Sequence, residues 1–344
     1  MMYNFRNDYS QGAHPRVLEA LAATNLEGNI GYGEDPHCAR AAQLIRDLCQ
    51  APQADVQFLI GGTQTNFIAI CAFLRPWEGV ICADTGHING HESGAVEATG
   101  HKLITVPGGL EGKLTPAGIR QAVQALDNPH VVNPGLVYIT DATENGTLYT
   151  LAELEAISAC CRELGLLLFL DGARLGCALA SPANDVTLPD LARLTDAFYI
   201  GGTKNGALMG EALVLCNPAL QPHFFTLKKQ RGGVLAKGWL LGVQFEELFR
   251  DGLYFDMASH ANEMAARLQD GLRALGIPLY VESSTNQIFP VVSGALRERL
   301  RGLVQFEDWC PGEGADEHVI RFVASFATSE QEVQGFLRDL VGLL

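Results

Sequence analysis

The feature that most constrains this chain is an alternation of short apolar runs with helical segments over its first two-thirds. Residues 56–60, 79–83, 101–106, 135–140, 166–170, 197–200 and 212–216 read as strands. Residues 64–74, 88–99, 115–126 and 150–164 between them carry helical spacing. Thr115-Pro116 supplies a cap and a first helical position, and Thr150 with Glu153 has capping-box spacing. Near-continuous apolar strands separated by helices predict a mostly parallel sheet covered on both faces. In such sheets ligands gather at the carboxyl ends of the strands, so the polar residues there carry the functional argument.

Beyond about residue 217 the rhythm changes. Helices are expected over 237–252, 257–275, 296–303 and 330–344, with short strands at 279–282, 288–292 and 319–324. This gives a large α/β domain followed by a smaller α+β one. The expected division is an arm over 1–14, a large domain over 15–246 and a small domain over 247–344. A chain of 344 residues suits about two domains. Its 24 Lys and Arg against 39 Asp and Glu give a net charge of −15, which argues against a nucleic-acid binder. No apolar run reaches the roughly 18 residues of a membrane span, and residues 1–15 lack a signal-peptide core. A cytoplasmic protein is expected. The nine cysteines form no C-x-x-C pair, so reduced and mostly buried thiols are expected, with no metal site.

Four strand ends stand out. Gly61-Gly62-Thr63-Gln64-Thr65-Asn66 lies between a strand and a helix, where glycines admit a close ligand and free N–H groups bind anions such as phosphate. Thr85-Gly86-His87 places an imidazole after the next strand, able to stack on a flat ring or move a proton. Asp171-Gly172-Ala173-Arg174 puts a carboxylate at a buried strand end, which needs a partner such as a protonated ring nitrogen or Arg174 itself. Gly201-Gly202-Thr203-Lys204-Asn205-Gly206 sets a lysine among glycines, where burial makes a nucleophilic amine. Each motif alone is also compatible with a structural turn, cap or surface loop. Together they supply what pyridoxal phosphate requires: a Schiff-base lysine, a carboxylate for the pyridine nitrogen and a helix start for the phosphate.

The chain resembles the threonine aldolase/β-eliminating lyase group of fold-type-I pyridoxal phosphate enzymes. The resemblance runs through Asp8-Tyr9-Ser10-Gln11-Gly12-Ala13-His14-Pro15 and Tyr32-Gly33-Glu34-Asp35-Pro36, then Gly62-Thr63 and His87-Ile88 with Glu92. It continues through Leu170-Asp171-Gly172-Ala173-Arg174-Leu175 and Thr203-Lys204-Asn205-Gly206. It implies an aspartate aminotransferase-like fold. It also implies Lys204 as Schiff-base lysine, Asp171 at the pyridine nitrogen and His87 on the ring. Gly62, Thr63, Gln64 and Thr203 would form the phosphate side. Arg174 and the small-domain Arg321 would meet the substrate carboxylate, because a guanidinium fork matches a carboxylate.

The resemblance further implies a homo-oligomer, dimer or tetramer, with sites at the dimer interface. Lys228, Lys229, Arg231 and Lys237 lie where a chain could reach its neighbour's site. Two positions depart from the group's pattern. Asn7 stands where a serine is usual and can still hydrogen-bond a carboxylate. Glu144 stands in Thr143-Glu144 where a Thr-His pair is usual, and a glutamate can take the same proton. The implied reaction is cleavage of a β-hydroxy-α-amino acid to glycine and an aldehyde. β-Elimination, racemisation, a non-catalytic cofactor-binding protein and a cofactor-free α/β interaction protein are the competing readings.

Overall fold

The computed structural model describes residues 2–344. A seven-stranded sheet forms the large domain. Its order is Asp55–Leu59, Glu211–Leu215, Ala197–Gly201, Leu167–Asp171, Asn133–Thr140, Glu78–Ala83 and Leu103–Val106. Glu211–Leu215 runs antiparallel to both its neighbours, and the other pairings are parallel. The mostly parallel sheet predicted from the apolar runs is therefore present. Successive side chains point to opposite faces, so each strand feeds two cores. Leu168, Leu170, Phe198 and Ile200 enter one cluster, and Phe169, Ala197 and Tyr199 enter the other.

Helix starts follow the sequence closely. The helix Pro116–Ala125 is capped by Thr115, and Leu151–Leu164 carries the capping box of Thr150 and Glu153. Pro15–Ala23 and Pro36–Leu48 are further helices, capped by His14 and Asp35 and opened by proline. The helix expected over 88–99 does not form. The chain makes one turn over His87–Gly90, then Ser93 and Gly94 adopt φ of 53° and 72°, in the left-handed region that ends a helix. Nor does 279–282 form a strand: it contributes a single bridge, Leu279 to Pro290.

The small domain holds an antiparallel sheet in which Glu317–Val323 pairs with Val291–Ser293, Glu307–Pro311 and Gln287–Ile288. Residues from the start of the chain complete its core. Tyr3 and Phe5 pack on Phe336 of the helix Glu330–Val341 with ring centroids 5.8 and 5.4 Å apart. The helix Leu253–Ala274 joins the two domains, with Leu253, Tyr254 and Met257 in the large core and Leu268 and Leu272 in the small one. Among the described residues no helix is long and apolar enough to cross a membrane. Six of the nine cysteines are buried, while Cys71, Cys216 and Cys310 are partly exposed.

Candidate active site

A cavity of about 450 Å³ opens at the carboxyl ends of the parallel strands, between the large sheet and the small domain. Two of the strand ends that line it meet with very little space. A Cβ on Gly172 would lie 1.9 Å from the Tyr199 carbonyl oxygen, and one on Gly201 2.4 Å from that of Ala173. Only glycine lets the loops bearing Asp171 and Lys204 approach this closely.

Asp171 is buried, and four donors converge on it. Its Oδ1 accepts from the Ala173 N–H at 2.9 Å and from the Tyr199 hydroxyl. Its Oδ2 accepts from Asn66 Nδ2 at 2.9 Å and from the Tyr138 hydroxyl. Strand periodicity makes this possible, because Phe169 and Asp171 share a face and both tyrosines flank Phe169. Burial, then the Asp171 charge, holds both phenols well above their ordinary pKa, so they remain donors. Asn66 also donates to Glu92 Oε1 at 2.8 Å, which in turn meets His87 Nδ1 at 2.7 Å. Burial is the largest influence on His87 and opposes its protonation, but the Glu92, Glu144 and Asp171 carboxylates together outweigh it and raise the imidazole pKa. The left-handed turn at Ser93 and Gly94 follows Glu92 directly.

Lys204 lines the same cavity. Withdrawal from water, then the nearby Arg174 guanidinium, lowers its pKa below the ordinary lysine value. Arg174 is itself clasped by Asp8, Nε to Oδ2 at 2.7 Å and Nη2 to Oδ1 at 3.1 Å, and Asn286 donates to the same carboxylate at 2.9 Å. Burial works against ionisation of Asp8, yet Arg174 and Lys204 keep its pKa low. Arg321 reaches the cavity from the small domain, with Glu307 and Trp309 beside it, and Glu144 lines it too.

The start of the helix Gly62–Phe73 opens into the cavity at Gly61, Gly62 and Thr63, and no side chain caps it. Its free N–H groups suit an anion. Thr203 and Glu211 lie beside it. Thr203 Oγ1 donates to Glu211 Oε1 at 2.7 Å and accepts from the Gly210 N–H at 3.0 Å, so its one proton is already committed. Burial pushes the Glu211 carboxyl up to about 7.

The structure thus brings together Gly62, Thr63, His87, Glu144, Asp171, Arg174, Thr203, Lys204 and Arg321. It leaves out two expected residues. Asn7 Oδ1 is turned into its own loop, accepting from the Tyr9 N–H at 3.1 Å and the Ser10 hydroxyl at 2.8 Å. Gln64 Oε1 accepts from the Ile60 N–H at 3.3 Å, back across the turn. Lys228, Lys229, Arg231 and Lys237 also lie outside this cavity, with Lys229 Nζ 4.2 Å from the centre of the Tyr32 ring. Sequence reasoning assigned no role to Asp8, Asn66, Tyr138, Tyr199, Glu211, Glu307 or Trp309. Among the described residues no cluster of His, Cys, Asp or Glu is arranged to hold a metal.

The chain matches the β-eliminating lyase family over residues 4–295. It belongs to that family. A low-specificity L-threonine aldolase from a Pseudomonas species is 34% identical over 344 aligned residues, 98% of this chain and 96% of that one. The solved structure of a Leishmania major threonine aldolase superposes with a TM-score of 0.97 at 50% identity, covering 99% of both chains. A Thermus thermophilus aspartate aminotransferase aligns with a TM-score of 0.76 at 18% identity, covering all of this chain and 92% of that one, a likeness of fold alone. This β-eliminating lyase therefore has the expected fold-type-I architecture.

The cavity fits the cofactor implied by the sequence motifs. An uncapped helix start suits a phosphate, a multiply hydrogen-bonded carboxylate suits a ring N–H, and a lysine of lowered pKa suits a carbonyl carbon.

Proposed function

We propose that this β-eliminating lyase is a pyridoxal phosphate-dependent aldolase that cleaves threonine, allo-threonine or a related β-hydroxy-α-amino acid to glycine and an aldehyde. The observation that carries the reading is the convergence on one cavity of Lys204, Asp171, an uncapped helix start, two arginines and a carboxylate. Pyridoxal phosphate, when bound, supplies an electron sink for the carbanion left by Cα–Cβ cleavage.

The chain's own residues do the rest. The N–H groups of Gly62 and Thr63 would hold the phosphate, and Lys204 would anchor the carbonyl end. Asp171, positioned by Tyr138, Tyr199 and Asn66, would accept the ring N–H. His87, oriented by Glu92, would lie against the cofactor. Arg321 takes the substrate α-carboxylate, and Arg174, fixed by Asp8, adds its charge beside it. Glu144 accepts the β-hydroxyl proton as the Cα–Cβ bond breaks and the aldehyde departs. A proton delivered to Cα then completes glycine. A homo-oligomer with sites at its dimer interface accompanies this reading, and the protein's mass in solution tests it.

The deciding experiment is visible absorbance and product analysis on the purified protein. A visible band that is altered or lost in Lys204→Ala is expected. Glycine and aldehyde should appear from L-threonine or L-allo-threonine, and the variant should lose this activity by several orders of magnitude. Pyruvate and ammonia, or the other enantiomer, in place of glycine would redirect the assignment within the family. Absence of any band after incubation with pyridoxal phosphate would sink it.

A further inference from the structure

The small-domain side of the cavity holds one of the chain's own carboxylates where an amino acid substrate needs room for its own. Arg321 is buried, and its Nη2 pairs with Glu307 Oε2, the residue directly across the antiparallel ladder. Its Nη1 donates to Gln287 Oε1 at 3.3 Å, and its Cζ lies 4.8 Å from the centre of the Trp309 ring. Its Nε is buried with no hydrogen-bond partner. A guanidinium whose two Nη groups go to separate partners and whose Nε is orphaned is incompletely satisfied, whereas an incoming carboxylate can use two donors at once.

We propose that Glu307 is an internal competitor for Arg321: it occupies the guanidinium in the free enzyme, and a ligand's α-carboxylate displaces it. The inference rests on the functional reading at one point, that Arg321 receives the α-carboxylate. The two arginines of the cavity differ in the way the inference requires. The Asp8 partner of Arg174 is 1% exposed and held in addition by Asn286, so it has nowhere to go. Glu307 has a side chain 30% exposed on the Glu307–Pro311 strand and can turn into water without being unburied. Arg321 is therefore the guanidinium that changes partners.

The consequence is a penalty on affinity. Apparent affinity falls by the fraction of molecules in which the site is free. If Glu307 leaves Arg321 about one-tenth of the time, every α-carboxylate ligand binds about tenfold more weakly. The product glycine carries no side chain to compensate, so the competitor acts as a release device.

The test titrates the holoenzyme with glycine, followed by the change in visible absorbance, in wild type, Glu307→Gln and Glu307→Ala. Half-saturating glycine should fall roughly five- to tenfold in both variants. Methylamine, which has the amine and lacks the carboxylate, should bind all three proteins alike. Unchanged or weaker glycine binding in both variants overturns the inference. So does a gain shared by methylamine, which would mean a general opening of the cavity. A wild-type protein with no visible band refutes the functional reading and this inference together. A normal band with unaltered glycine affinity refutes the inference alone.

Discussion

The two sides of the cavity are built to opposite standards of fixity. On the large-domain side, Asp171 receives four hydrogen bonds, and a continuous chain runs from His87 through Glu92 and Asn66 to that carboxylate. On the small-domain side, Arg321 has an unpartnered Nε and leans on a part-exposed glutamate. The difference teaches what each side holds. A group that stays through every turnover gains from a rigid seat, because preorganised dipoles need not move during reaction. A group that arrives and leaves gains from a partner that can be exchanged.

Substitutions can break or sharpen that contrast. The largest effect should come from Glu144, the proposed acceptor of the β-hydroxyl proton. Glu144→Gln is expected to lower kcat by about 10²- to 10⁴-fold while glycine still perturbs the visible spectrum. Loss of glycine binding along with turnover would blur the division between the two sides. Next come the supports. Asn66→Ala strips a donor from both Glu92 and Asp171, and hydrogen bonds to buried charged groups are worth about 1.5–3 kcal/mol each. A loss of unfolding free energy of that order, seen as a lowered melting temperature, is expected, against less than about 1 kcal/mol for Glu307→Gln, because its pair is part-exposed. Equal losses would show the small-domain side to be as fixed as the other.

A further effect concerns the Glu211 carboxyl beside the helix start. Burial raises the Glu211 pKa in the folded protein to about 7, above its ordinary carboxylate value. A group raised on folding contributes stability below its unfolded pKa and loses it as pH climbs through the folded one. The melting-temperature difference between Glu211→Gln and wild type should therefore shift in favour of the variant from about pH 4.5 to 7 and then level off. A pH-independent difference would show that the Glu211 pKa is not raised on folding.

Much of this arrangement is legible in the sequence, for identifiable reasons. Apolar runs of strand length, capping pairs such as Thr150 with Glu153, and glycine-flanked polar residues at strand ends are local signals, and the fold honours them. The pattern Asp35-Pro36, read only as part of the family resemblance, is equally local and opens the unforeseen helix Pro36–Leu48. What escaped is set by distance across the fold. Tyr138 and Tyr199 look like ordinary apolar strand residues, and only lateral strand order shows both hydroxyls reaching Asp171. The expected helix over 88–99 overlooked Gly94: the helical turn stops at Gly90, and the left-handed Ser93 and Gly94 keep it from resuming directly after Glu92. The pairing of Glu307 with Arg321 depends on antiparallel register, which no single strand encodes.

The packing of Phe5 on Phe336 has a consequence for how the molecule is made. Asp8, the partner of Arg174, lies only three residues beyond that phenylalanine anchor. A growing chain exposes its first residues long before the helix Glu330–Val341 that receives them has been synthesised. At ribosomal speeds that interval is on the order of tens of seconds. During it the large-domain strands can pair while Arg174 still lacks its clasp. Completion of the Asp8–Arg174 corner of the cavity is thus a late event of biosynthesis, and a fused segment that held the leading residues away from that core would delay it further.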